Sequence, residues 1–252
     1  MIVAIVQART GSSRLPGKVL HEILGKPVLW HIIDRLKGSG LIGRIAIATT
    51  DKESDKPILK LAQDSGVDSY AGSEEDVLDR YYQAATKFGA DIIIRITADC
   101  ALVDCRIVEQ VIQRYLRGDC DYAANTLKLT YPDGLDVEIF SCMALEKAWK
   151  EARCASQREH VTPYIRDNPG KFRLANVENS VNLSHFRWVV DREEDLEFVR
   201  QVYKHLYKEG QSFYMEDILK LLRKYPDLEQ INQGIATNEG YAKSLKGDRI
   251  VK

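Results

Sequence analysis

At 252 residues the chain can bury one full core and lies near the upper size for a single domain. A formal charge of -1 with 29% charged residues excludes bulk attraction to nucleic acid or an acidic membrane, so any anion must be met by a local cluster. Five cysteines without a C-x-x-C pair exclude a disulfide framework and a zinc ribbon, and fit reduced thiols. The apolar start from Met1 to Val6 is far too short for a signal sequence and no apolar run approaches a membrane span, so a soluble, cytoplasmic protein is expected, with neither nucleic acid nor membrane as partner.

Ile2 to Val6 reads as a short buried strand. It delivers the chain into Gln7-Ala8-Arg9-Thr10-Gly11-Ser12-Ser13-Arg14-Leu15-Pro16-Gly17-Lys18, with two glycines, three hydroxyls, two arginines and a lysine. Backbone N–H groups and cations in such a loop form a phosphate cradle. Any one of these residues alone would suit a solvated basic loop. Their spacing argues for more: Gly11 and Gly17 let backbone approach an anion, Pro16 stiffens the turn, and Arg9, Arg14 and Lys18 can converge. Because Gly17-Lys18 is followed by Val19, the pattern is not a P-loop, nor is it G-x-G-x-x-G.

Pro27 opens a helix with Val28, Leu29, Ile32, Ile33 and Leu36 on one face, stopped by Gly38. Arg44 to Thr50 is a second strand. Ser54 is placed to cap the next helix, where Ile58, Leu59 and Ala62 face inward and Gly66 ends it. Val67 to Ala71 is a third strand, and this rhythm predicts right-handed βαβ units in a parallel sheet. The following helix buries Leu78, Tyr81, Tyr82 and Ala85. Gly72 and Ser73 sit where a strand end meets its N-terminus, a place that presents backbone groups to a ligand, whereas Arg80 taken alone is a helix-surface charge.

Asp91 to Thr97 is a near-continuous apolar run, as expected for a central strand covered on both faces. Asp99 follows at its carboxyl end, where ligands bind in open α/β sheets. Asp104 better suits the cap of the helix carrying Ile107, Val108, Val111, Ile112 and Tyr115. Asp121 to Thr126 is a further strand. Pro132-Asp133-Gly134 then makes a turn into an alternating stretch with Leu135, Val137 and Ile139 on one face. Asp136 and Glu138 share the other face, which is either wet or turned to substrate.

Ser156 and Glu159 match a capping box, with Arg158 and His160 beside them. Phe172 to Val177 and Phe186 to Val190 read as the last strands, the second ending in Asp191. Glu193, Glu194 and Asp195 suit the positive end of the next helix. Met215 to Tyr225 is amphipathic. One α/β domain over 1–231, with room for a small dimerisation arm, is followed by a polar tail over 232–252, which either packs over the site or hangs on the surface.

Ala8-Arg9-x-x-x-Ser13-Arg14-Leu15-Pro16-Gly17-Lys18 resembles the signature of the cytidylyltransferases that make CMP-activated acidic sugars, such as CMP-KDO synthetase and acylneuraminate cytidylyltransferase. Matches along Tyr131 to Phe140, Arg158 to Tyr164 and Asn238 to Ser244 resemble the branch called spore coat polysaccharide biosynthesis protein F. The resemblance implies a Rossmann-like nucleotide-diphospho-sugar transferase fold of the GT-A type, with a mostly parallel central sheet and helices on both faces. It implies Mg²⁺-dependent transfer of CMP from CTP to a KDO- or nonulosonate-like acid, with release of pyrophosphate, for surface polysaccharide in a cytoplasmic homodimer.

Residue by residue, the resemblance implies that Ala8, Arg9, Gly11, Ser13, Arg14, Lys18, Gly72, Ser73 and Arg80 hold the nucleotide, with Arg14, Lys18 and Asp99 catalytic. Asp99 and Asp191 would hold Mg²⁺. Asp136, Glu138, Arg158 and His160 are the acceptor contacts. One departure stands out: the relatives' Cys-Pro-Leu-Ile-Asp-Pro is here Cys100-Ala101-Leu102-Val103-Asp104-Cys105, so loop rigidity and substrate fit are expected to differ. The two acids are 92 positions apart, and adjacent parallel strands are the expected means of joining them. A GT-A glycosyltransferase using a sugar nucleotide is the alternative enzyme, although no D-x-D follows a hydrophobic strand in the expected place. A non-catalytic nucleotide-binding protein on the same fold is a third reading.

Overall fold

The computed structural model describes residues 1–236 and 239–251. Two β-strands open the parallel half: β1 (Ile2–Gln7), then a small hairpin of β2 (Glu22–Ile23) and β3 (Lys26–Pro27), then α1 (Val28–Leu36) leading to β4 (Arg44–Thr50). The chain continues through α2 (Lys56–Asp64), β5 (Asp68–Gly72), α3 (Val77–Lys87), β6 (Ile92–Thr97) and α4 (Cys105–Tyr115). Next come β7 (Tyr122–Ala124), β8 (Glu138–Ser141), α5 (Cys142–Glu151), α6 (Ala155–His160), α7 (Pro163–Arg166) and β9 (Leu174–Asn176). Three helices follow, α8 (Glu193–Leu206), α9 (Met215–Lys224) and α10 (Glu239–Lys246).

The large sheet has seven strands in the order β5-β4-β1-β6-β8-β7-β9. All neighbours pair in parallel except β8, which runs antiparallel to both β6 and β7. The mostly parallel sheet is the one expected. Alternation along the strands explains its two covered faces. Ala4, Val6, Ile94 and Ile96 pack with α1, α2, α4, α8 and α9 on one side. Val3, Ile5, Ala46, Ala48 and Ile93 pack with α3, α5 and α7 on the other.

β4 and β6 lie on opposite sides of β1, so the chain reverses direction across the sheet at β1. Such a switch point leaves a crevice beyond the carboxyl ends of the strands. The register Gln7↔Thr97 ends β1 and β6 level, placing the basic loop and Asp99 along one edge.

Several expected elements come out differently. Phe186 to Val190 is not a strand of the sheet; it carries an isolated parallel bridge from Arg187 to Asp133, which lies in a loop. This extended segment bonds to loop ends instead of a strand: Trp188 N–H donates to the Asp133 carbonyl at 2.7 Å and Val190 N–H to the Asp99 carbonyl at 2.9 Å. β7 and β8 are shorter than the sequence pattern, because the Asn125 side chain replaces the ladder, donating to Leu135 O at 2.7 Å and accepting from Val137 N at 2.8 Å. Ser54 does not cap α2; Asp55 precedes that helix, and its carboxylate is turned to Thr10 and Thr50. The capping box of α6 starts at Cys154, whose N–H donates to Gln157 Oε1 at 3.2 Å, so Ser156 and Glu159 lie inside the helix.

Asp104 caps α4 as expected, accepting from Arg106 N at 2.9 Å, and its other oxygen accepts from Met215 N at 2.8 Å. The turn without prolines is held by other means. Val103 N–H donates to Cys100 O at 2.9 Å, the buried Tyr203 hydroxyl donates to Ala101 O at 2.8 Å, and Ala101 to Val103 are fully covered.

Candidate active site

The basic loop is fastened before it can be used. Thr10 N–H and its hydroxyl both donate to Asp55 Oδ1, at 2.8 and 2.6 Å, and Leu15 is buried in the core. Gly17 turns the chain with φ +67°, its N–H donating to Thr10 O at 2.9 Å. Among the described residues the N–H groups of Gly11, Ser13 and Arg14 have no protein acceptor, leaving donors for an anion. These residues line a cavity of about 990 Å³ beyond the carboxyl edge of β1 and β6.

At its centre Lys18 bridges the two distant acids. Its Nζ donates to Asp99 Oδ2 at 2.9 Å and to Asp191 Oδ1 at 2.7 Å, while Arg14 Nη2 donates to Asp191 Oδ2 at 2.7 Å. Burial pulls the Lys18 pKa down, but Asp99 and Asp191 outweigh it and hold the ammonium above its ordinary value. Burial pushes Asp99 up, and Lys18 with the Thr97 hydroxyl reverses this to a net lowering. Asp191 is set by neighbours: its N–H donates to Asp195 Oδ2 at 3.1 Å, and Asp195 is fully buried in a two-bond pair with Arg187, both at 2.8 Å.

Carboxylates and cations both line the cavity, and two of the acids have raised pKa values. Burial raises Asp133 to about 6 against the opposing Arg187, helped by Asp99 and Asp191. Asp136 is raised to about 8, first by burial and then by Asp133, Glu138 and Asp99. The carboxylates of the site offer oxygen donors, which suits a hard divalent cation. Among the described residues no three His, Cys, Asp or Glu side chains converge closely enough to hold a metal by themselves. Two carboxylates completed by substrate oxygens and water is the arrangement magnesium favours.

Ala8, Arg9, Gly11, Ser13, Arg14, Lys18, Arg80, Asp99, Asp136, Glu138, His160 and Asp191 all line the cavity. Gly72 and Ser73 do not. Ser73 instead works locally, its Oγ accepting from Asp76 N at 3.0 Å and its carbonyl from Arg80 Nη1 at 2.6 Å. Arg80 is not a surface charge but 2% exposed, with its Nε unmatched inside the protein.

Two expected acceptor contacts are otherwise engaged. Arg158 is buried and does not line the cavity; it forms a bidentate pair with Asp76, the cap of α3, and donates to Trp149 O at 2.7 Å. Its charge is needed there to fasten α6 to α3. Glu138 reaches the cavity, but the face it shares is not wet: the side chain is buried and its oxygens accept from Arg95, Tyr122 and Thr162. Burial pushes Glu138 up, and Arg95 outweighs this to keep it lowered.

His160 is held neutral by burial, with its pKa at about 4. It stacks edge-on against Tyr241, 5.0 Å between ring centres, and its Nε2 lies 3.0 Å from Ser244 Oγ. Val161 beside it adopts φ +70° while fully buried, a strained backbone for a β-branched residue. Thr237, Asn238 and Lys252 lie outside the described residues; between residues 239 and 249 the tail lines the cavity with Glu239, Gly240, Tyr241, Lys243, Ser244, Gly247 and Arg249.

Sequence reasoning passed over Asp55, Asp133, Arg166 and the Arg187–Asp195 pair. The Pro132-Asp133-Gly134 pattern marks a turn and does not by itself place Asp133 in the cavity. Arg187 and Asp195 sat in stretches already assigned as strand and helix start, and nothing local marked them as partners.

The family model described as cytidylyltransferase matches residues 3–239. The chain is 30% identical over 233 residues to the spore coat polysaccharide biosynthesis protein SpsF of Bacillus subtilis, covering 90% of this chain and 95% of that one. A cytidylyltransferase structure from Leptospira borgpetersenii serovar Hardjo-bovis superposes with a TM-score of 0.87 at 31% identity, covering 93% of this chain and 98% of that one. A structure of CMP:2-keto-3-deoxy-manno-octonic acid synthetase complexed with CTP shares the fold, with a TM-score of 0.64 at 21% identity over 82% of this chain and 99% of that one. With the family model matched over nearly the whole chain, and a relative and a structure aligned over 90% or more of it, the chain belongs to the cytidylyltransferase family.

Proposed function

We propose that the chain transfers CMP from CTP to an acidic sugar of the KDO or nonulosonate type, with release of pyrophosphate and with Mg²⁺, in surface polysaccharide biosynthesis. The observation that carries this reading is the sharing of Lys18 by Asp99 and Asp191 at the edge where the basic loop leaves β1. The acid acceptor rests on the relatives' names, and the CTP donor on the family and on the synthetase complex of the same fold.

Nucleotidyl transfer asks for positioning and charge neutralisation more than covalent help. Arg14 and Lys18 take the β- and γ-phosphates and neutralise the departing pyrophosphate, assisted by the free N–H groups of Gly11, Ser13 and Arg14. Arg80 and Arg9 line the nucleotide side. Asp99 and Asp191 hold Mg²⁺, which when bound supplies charge at the α-phosphate and lowers the pKa of the acceptor hydroxyl. Asp136 and His160 line the acceptor side, with His160 neutral and able to accept or donate one hydrogen bond.

Incubation with CTP, Mg²⁺ and candidate sugar acids, scored for pyrophosphate, tests the reading. Acid-dependent pyrophosphate release is expected. Cleavage of a sugar nucleotide without pyrophosphate would point to a glycosyltransferase, and CTP binding without turnover on any acid would point to a non-catalytic binder.

A further inference from the structure

We infer that the C-terminal segment 239–251 is a wall of the acceptor site, and that Lys243 and Arg249 on it receive an anionic group of the acceptor. The inference rests on the acid-acceptor reading above and adds which residues select that acid.

The cations of the cavity fall into two sets. Arg14 and Lys18 are paired with Asp191 and Asp99, Arg95 with Glu138, and Arg9 lies 3.9 Å from Glu74. Lys243 and Arg249 line the same cavity without a carboxylate partner among the described residues, as do Arg166 and, on the nucleotide side, Arg80, each with a buried and unmatched Nε. Lys243 and Arg249 are exposed at the cavity, so their charges stand free to meet an anion that arrives with the ligand.

The segment is fixed at several points, so these side chains are presented by an anchored wall. Near the basic loop, Glu239 accepts from Arg192 at 2.9 Å and lies 3.8 Å from Arg14. Across the cavity, Ser244 Oγ donates to Glu159 at 2.8 Å and meets His160 at 3.0 Å, while the Tyr241 ring lies under the Arg166 guanidinium at 5.4 Å. Beyond α10, Asp248 accepts from the Ser156 hydroxyl at 2.7 Å and N–H at 3.0 Å, and Val251 N–H donates to Arg153 O at 2.8 Å. The helix thus runs from the triphosphate loop to His160. The cavity, at about 990 Å³, lies at the large end of the range for a ligand pocket.

The test uses the full chain and a Lys243→Ala/Arg249→Ala double variant. Calorimetric titration of CTP is expected to give dissociation constants within twofold of each other; a tenfold loss would place these cations on the triphosphate and overturn the inference. With 3-deoxy-manno-octulosonate and N-acetylneuraminate as probes, the acceptor KM of the double variant is expected to rise tenfold or more with kcat within threefold. Lys243→Arg/Arg249→Lys should recover most of that rise, and an unchanged KM overturns the inference. Should the wild type bind CTP but turn over neither acid, the acceptor reading fails by itself. Titration of inorganic phosphate into the CTP-loaded protein then decides: binding lost in the double variant supports the wall, and equal or absent binding in both proteins contradicts it.

Discussion

Lys18 stands between two carboxylates whose chain positions are far apart. Asp99 has its charge held by Lys18 and by Thr97, so replacing it with Asn keeps the shape and removes the charge. Asp99→Asn is expected to lower Mg²⁺-dependent pyrophosphate release by about 10³-fold or more, the scale of losing one electrostatic stabiliser of the transition state, with an unaltered circular dichroism spectrum. Asp136 supplies a pH prediction. Its carboxyl titrates near 4 when unfolded and at about 8 when folded. The folded state holds the proton across that window and unfolding releases it, so this contribution is full below the unfolded value and is lost as pH rises through the folded one. Without metal, Asp136→Asn should therefore raise the Tm more at pH 8 than at pH 5, since the wild type loses about 1.4 kcal/mol for each pH unit crossed inside that window. Scanning calorimetry at the two pH values checks this, and an equal shift at both would contradict the burial argument.

The element that most depends on its surroundings is the extended segment 186–190. Strand spacing led the sequence reading to a sheet strand ending in Asp191, and the acid does arrive at the right edge, but by another route. Gly134 makes that route available: at φ +104°, a Cβ there would lie 2.6 Å from Trp188 C and Val189 N. Gly134→Ala should push this segment away and displace Asp191, and a shift of that kind costs on the order of 10²-fold in turnover. Steady-state kinetics with CTP and Mg²⁺ would show it as a fall in kcat. Asp195→Ala removes one partner of a fully covered ion pair with Arg187 and strips the acceptor of the Asp191 N–H. The expected cost is about 3–5 kcal/mol of stability by urea unfolding; a loss under 1 kcal/mol would mean that Asp195 does not hold the segment in place.

At the scale of the molecule, the parallel half was legible because its signals are local and repeated. Arg44 to Thr50 is bounded in the structure as the residue pattern bounds it, and Asp104 caps the helix it was expected to cap. The mixed half was legible only in part, since its pairings run through one-off contacts such as the Asn125 side chain and the Asp133–Arg187 bridge. In the site, charged residues next to strand ends could be read from sequence. Arg158 could not be separated from true cavity residues, because its partner Asp76 lies 82 positions away. The tail was undecided for the same reason: Tyr241 and Ser244 acquire meaning only against His160. The central claim is that the basic loop, Asp99 and Asp191 surround one triphosphate–metal complex. Crystals grown with CTP and Mn²⁺ in place of Mg²⁺ test it most directly, by anomalous scattering. The account predicts a manganese peak between the Asp99 and Asp191 carboxylates, with the triphosphate on Arg14, Lys18 and the N–H groups of the loop; a nucleotide bound elsewhere, or manganese away from both acids, would contradict it.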